Sequence, residues 1–383
     1  MNTAAFLVLL VGLVILVSVP LMLVAVIFIA ASNARKQREA RWARLAQALG
    51  LEHANGVVFG RLHGQQVNLR IETRGSGKSR HTYTVVSSMP SLPLDLGLHV
   101  THQGYFDEAL VSLGLKTDIP IGDPAFDAAF SISADEPHRA AALLTPALRQ
   151  ALSVIREPLL LSDAGFSMST RGAVTDEAWL TWALRSAAGI TAQVKEARRR
   201  VPVATPLAGH RVEWKRFAAQ AGLSRMSTPL CMWGELEGTR ISVRAVRVEP
   251  LVYQMEVMVY FDLPLHLGLF VRPTDAFDDL ATFFGRQDHR LNDAAFDPAF
   301  VVQAARSDRL AEVLDEGARR MLVDLNRRFG SVQVNDEGIA IRSASVAGDP
   351  RAIPTLTAHV REAAKRISEN AVGRSAARAG PYR

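Results

Sequence analysis

The chain has a single cysteine, Cys231, among its 383 residues. That excludes an intramolecular disulfide, and it suits a reducing compartment. A lone Cys reads as a small core residue. Lysine is scarce too. Only six of the 44 basic residues are Lys, in a chain rich in Ala, so a coding bias accounts for the Arg excess as well as phosphate recognition would. Charge is missing altogether from Ala4 to Ala31, a run interrupted only by Gly12, Ser18 and Pro20.

Several catalytic signatures are missing as well. No Ser sits in a G-x-S-x-G elbow. "RGSGKS" at Arg74 to Ser79 ends like a phosphate-binding loop, but Glu72 stands where its first Gly belongs and the strand-like "HTYTVV" follows where a helix is needed. It reads as a hairpin tip. His99 and His102 form H-x-x-H with no third ligand nearby in sequence. The composition calls for no cofactor and no metal.

As a helix, the uncharged run would measure about 42 Å at ~1.5 Å per residue, against a hydrocarbon core of about 30 Å. It predicts a transmembrane helix over 4–31, and it lacks the basic start and short apolar core of a cleaved signal. Arg35, Lys36, Arg38, Arg41 and Arg44 follow, with Glu39 as the only acid among them. By the positive-inside rule they set the N-terminus outside and the bulk of the chain in the cytoplasm, with these bases against lipid headgroups. This segment, at +4, and Arg374, Arg378 and Arg383 of the tail, at +3, account for all of the formal +6. The remainder is near neutral, which leaves no footprint for nucleic acid.

What the sequence does contain is a repeat. "WARLAQALGL" from Trp42 is answered by "WKRFAAQAGL" from Trp214, and "GRLHGQQVNLR" from Gly60 by "GELEGTRISVR" from Gly234. "LPLDLGLHV" from Leu92 is answered by "LPLHLGLFV" from Leu263, and "DAGFSM" from Asp163 by "DEGIAI" from Asp336. Between these blocks, D-x-A-F-D-x-A-F occurs at Asp123 and again at Asp293. The order is the same throughout, so the expected organisation is a tandem duplication. A basic juxtamembrane segment (32–41) precedes a first copy (42–198), a linker (199–213), a second copy (214–367) and a basic tail (368–383).

Each copy predicts a Trp helix closed by Gly, then consecutive strands without helical crossovers. One of these strands starts from Val67, where Val67, Leu69 and Ile71 alternate with polar residues, and another lies at "LGLHV" or "LGLFV". A helix entered at Asp135-Glu136-Pro137 or Ser307-Asp308, a D-x-G hairpin and a last helix follow. The expected class is therefore α+β: one transmembrane helix, then two homologous domains, each a mainly antiparallel sheet with about three helices.

In the repeated motif, Phe126 and Phe130, like Phe296 and Phe300, are four apart and share one face of a helical turn as core anchors. Asp123 with Asp127, and Asp293 with Asp297, have the same spacing. Such carboxylate pairs could serve acid–base chemistry or a divalent ion; as turn formers and caps they are structural. Trp179 and Trp182 read as packing residues.

The stretch "FDAAFSISADEPHRAAALLTPALRQAL" resembles the core of a bacterial family of membrane-anchored proteins built on a domain of unknown function. The resemblance rests on Phe126, Phe130, Asp135 and Leu144 to Leu148. The second copy keeps Phe296 and Phe300 but reads "LDEGAR" where the first has "LTPALR". The family implies a bacterial inner-membrane placement and lends no activity. The functional expectation is a single-pass membrane protein acting as a binding or scaffolding module, with the bilayer and another protein as partners. The alternatives are a lipid or small-molecule sensor using a groove between repeats and a hydrolase-like enzyme using the Asp pairs.

Overall fold

The computed structural model describes Met22, Val26 and residues 32–373, apart from 55, 76–78, 91–92, 104–117, 227–228, 275–287, 305 and 347–348. It contains two antiparallel sheets, of eight and nine strands, together with helices.

The transmembrane expectation is corrected here. Among the described residues no helix is long and apolar enough to cross a membrane. Helix α1 (32–49) carries Arg35, Lys36, Arg38, Glu39, Arg41 and Arg44, and hydrocarbon does not accept such a density of charge. Apart from Met22 and Val26, residues 4–31 lie outside the described residues, as do 374–383 of the tail. The class is α+β with two sheets, and the membrane and single-pass description does not stand with it.

The chain divides into two compact units. The first comprises residues 1–92, 150–161 and 165–193, and the second 93–149, 162–164 and 194–383. In the first, α1 leads to β1 (Glu52–Ala54), β2 (Val57–Leu62), β3 (Gln65–Arg74) and β4 (His81–Met89), then to β7 (Leu159–Ser162) and β8 (Gly165–Arg171). They lie in the order β1-β2-β3-β4-β8-β7. Trp42, Leu45 and Ala46 of α1 are buried, the i, i+3, i+4 spacing of a helix face. Gly50 closes α1 at φ 67°, the left-handed conformation favoured after a helix.

In the second unit β5 (His99–His102) pairs antiparallel with β6 (Phe130–Ser133). Short helices α2 (Pro124–Ala129), α3 (Pro137–Leu143) and α4 (Pro146–Ser153) flank β6 in sequence, and α5 (Glu177–Arg198) runs to the end of the first copy. The predicted linker is not loose. Val201, Ala204 and Leu207 are buried in it, and Thr205–His210 forms a 3-10 turn ahead of α6 (Arg211–Gln220).

The nine-stranded sheet consists of β9 (Ser224–Met226), β10 (Cys231–Leu236), β11 (Thr239–Glu249), β12 (Val252–Tyr260), β13 (Phe270–Pro273), β14 (Asp288–His289), β15 (Phe300–Gln303), β16 (Val332–Asn335) and β17 (Gly338–Val346). Its order is β14-β15-β13-β16-β17-β12-β11-β10-β9, which leaves β9 at an edge. Helices α7 (Leu310–Val313), α8 (Glu316–Phe329) and α9 (Ile353–Gly373) complete the unit. Its core gathers Trp214, Val243, Phe261, Phe296, Leu322 and Val360.

The predicted D-x-G hairpins form, as β7–β8 and β16–β17, and two further tight hairpins carry positive φ values in their loops. β2–β3 turns through His63-Gly64 (φ 50° and 77°), and β10–β11 through Glu237-Gly238 (φ 49° and 72°). Two positive φ values in a two-residue loop match the strand twist. Strands expected at "LGLHV" and "LGLFV" begin later, at His99 and Phe270. The amides of the Leu-Gly-Leu stretch are engaged by a carboxylate instead of a strand ladder.

Candidate functional site

Both predicted aspartate pairs are tied to their own loops. Asp123 caps α2, accepting from the Phe126 amide at 3.2 Å and pairing with Arg149 at 3.0 Å. Asp127 accepts from the Ile121 amide at 3.0 Å. The second copy repeats the bonding: Asp293 accepts from the Phe296 amide at 3.1 Å and from Arg319 at 2.7 Å, and Asp297 from the Leu291 amide at 3.0 Å. The hydrogen bond from Arg319 holds the Asp293 carboxyl below the usual range. Arg149 and Arg319 each donate onward to a carbonyl, of Leu144 at 3.2 Å and Leu314 at 2.7 Å. The Phe pairs are buried and stacked, with centroids 4.4 Å apart for Phe126–Phe130 and 4.8 Å for Phe296–Phe300. The motif is thus a loop closure built around two rings. No group of three metal-ligating side chains occurs among the described residues.

The other singled-out residues lie apart from one another. Arg35 pairs with Glu39 at 2.8 Å, the Arg38 guanidinium sits 5.7 Å from the Trp42 ring centroid, and Arg41 donates to Thr175 at 3.3 Å. Lys36 and Arg44 are exposed. His102 stacks on Phe130, and Trp179 donates to Glu157 at 2.9 Å.

Two arrangements escaped sequence reasoning. In the first, Asp163 accepts from the amides of Leu96, Gly97 and Leu98, and Asp336 from those of Leu267, Gly268 and Leu269, at 2.7 to 3.2 Å. The signal was available, since each L-x-L-G-L is followed by its own D-x-G.

The second is a buried polar cluster. One Arg139 nitrogen, Nη1, donates to Glu136 (3.3 Å), to the Asp95 carbonyl (3.2 Å) and to the Tyr253 hydroxyl (3.0 Å). Glu136 accepts from the Thr205 amide at 3.0 Å and from its hydroxyl, and Asp135 pairs with Arg247. Asp95 sits at φ 56° beside a cavity of about 20 Å³. Its Oδ1 accepts from the Arg247 amide at 3.3 Å, while Oδ2 has no hydrogen-bond partner among the described residues. Burial pushes this carboxyl up to about 6, against the pull of Arg244 and Arg198. On the neighbouring strands, burial opposes ionisation of Glu256, but Arg244 (2.6 Å) and Arg342 (2.9 Å) hold its carboxyl low. Asp95 apart, these charges are paired within the protein, as buried ions must be.

An open cleft of about 330 Å³ is different in character. On the helical side it is lined by Ala208, Arg211, Val212, Trp214 and Lys215, and on the strand side by Arg225, Met226, Leu230, Cys231 and Met232. Trp214, Leu230, Cys231 and Met232 are buried, whereas Arg211, Lys215 and Arg225 are exposed. Cys231 pairs with Met226, and Met232 with Arg225, across β9–β10. Burial pushes the Cys231 thiol up, so it is a packing group rather than a nucleophile. In sequence these residues look like a solvated helix face and an edge strand, and only their juxtaposition makes a site.

No family model matches the chain, and no curated protein matches it. Among solved structures it is similar to the crystal structure of the mycobacterial trehalose monomycolate transport factor A, TtfA, at 8% identity, over 43% of this chain and 94% of that one, with a TM-score of 0.28. A likeness at that level assigns neither fold nor activity.

Proposed function

We propose that the protein is a binding module rather than an enzyme, and that small molecules bind in the cleft between α6 and the β9–β10 edge. The observation that supports this reading is the cleft's make-up: exposed cations beside a buried apolar lining, at a volume near the lower end of the ~300–1,000 Å³ typical of ligand pockets. The aspartates that would suit hydrolytic chemistry accept hydrogen bonds from their own loop amides instead. A chemically mixed library screened by ligand-detected NMR tests the reading. Binders are expected whose signals are lost with Ala208→Trp, which fills the cleft from an exposed position, while the melting temperature stays within a few degrees. Binders indifferent to Ala208→Trp would refute it.

A further inference from the structure

Resting on that reading, we infer that the cleft's ligand is a small amphiphilic anion, with a carboxylate or phosphate head and one short hydrocarbon chain. Three of the ten lining residues are basic and none is acidic. Arg211 and Lys215 are one helical turn apart on α6, so their heads lie on one face, and Arg225 lines the cleft from β9. Neither Arg211 nor Lys215 makes an ion pair among the described residues. Glu213, which lies between them in sequence, faces His210 at 3.8 Å.

The first copy is an internal control. Aligning α1 with α6 through Trp42 and Trp214, and β1 with β9 through their three-residue spans, sets Glu39, Ala43 and His53 where the second copy has Arg211, Lys215 and Arg225. The helix-and-strand framework keeps its Trp, its closing Gly and its Leu in both copies, so the framework does not require the cations. Their presence in one copy only points to a ligand. The rest of the lining supplies an apolar complement, with Trp214, Met226, Leu230 and Met232 around the same space, and Met adapts readily to a hydrocarbon. The volume suits a single chain of about eight to ten carbons.

The test uses the full chain and calorimetric titration with decanoate, decyl phosphate, decanol, inorganic phosphate and decyltrimethylammonium, all below micelle formation. Any binding elsewhere on the chain is subtracted by two variants, Arg211→Glu/Lys215→Glu and Ala208→Trp. Decanoate or decyl phosphate is expected to bind one site at least tenfold tighter than decanol or phosphate, and each removed methylene should weaken it about fourfold. The charge-reversed variant should lose at least tenfold without a change in melting temperature. Whichever head binds tighter identifies the source as a fatty acid or a phosphate ester. If decanol or the cation binds as tightly, sensitive to Ala208→Trp but not to charge reversal, the anion inference fails while the binding-site reading survives. If no probe is sensitive to Ala208→Trp, both fail.

Discussion

Asp95 is the residue whose surroundings depart furthest from what its sequence context suggested. Its φ of 56° suits Gly or Asn better than Asp, and its carboxyl is buried with one oxygen unbonded. The ordinary value is 3.8, and in the fold the group titrates at about 6. Between those values the folded chain holds a proton that the unfolded chain has released. This contribution to stability is therefore complete below pH 4 and is lost as pH rises through 6, by about 3 kcal/mol at neutrality. Asp95→Asn keeps the shape and tolerates the backbone, so urea unfolding from pH 4 to 7 should show the variant without that decline. Parallel curves for parent and variant would remove Asp95 as its source. Nothing in "LPLDLGL" announced this, because the groups around Asp95 come from Arg139, Arg247 and Tyr253, 44 to 158 positions away.

At the scale of elements, the recurring device is a loop held by one carboxylate. Asp336 gathers three successive amides from a segment whose Leu267 and Leu269 are buried. Asp336→Ala leaves those donors without a partner, and about 3 kcal/mol or more of stability should disappear, since bonds to charged groups contribute ~1.5–3 kcal/mol each. Asp336→Asn, which retains one accepting oxygen, should lose less. Urea midpoints for the two variants check the ranking, and an Ala variant within about 0.5 kcal/mol of the parent would show that the clamp carries no weight. Much of this level was legible in advance. Alternation at Val67 and Leu69 marked β3, D-x-G marked both hairpins, and the Phe spacing marked the core anchors, because each depends on neighbours within a few residues. The late starts of β5 and β13 were not legible, since they depend on which acceptor the Leu-Gly-Leu amides choose. The cleft was hidden for a similar reason. Arg211 and Lys215 have the spacing of an ordinary solvated face, and only the approach of β9 makes them a wall.

For the molecule as a whole, residues 93–149 belong to the same compact unit as 194–383. Asp135 pairs with Arg247, Glu136 meets Thr205 and Arg139 meets Tyr253, so a chain cut between 198 and 199 leaves buried charges without partners. Breaking a buried pair costs about 3–5 kcal/mol. The separately produced fragment 1–198 is therefore expected to show fast amide exchange in α3, and to regain protection when mixed with fragment 199–383. Full protection of α3 in the isolated first fragment would contradict this.

The same connectivity sets a timetable for synthesis. Arg139 leaves the ribosome 114 residues before Tyr253, which at ~5–20 residues per second is a wait of roughly 6 to 23 s. During that interval Arg139 has Glu136 and the Asp95 carbonyl but lacks the Tyr253 hydroxyl, and β12 does not yet exist. The second unit is thus a late assembly, and the nascent chain must keep α3 solvated until β12 arrives.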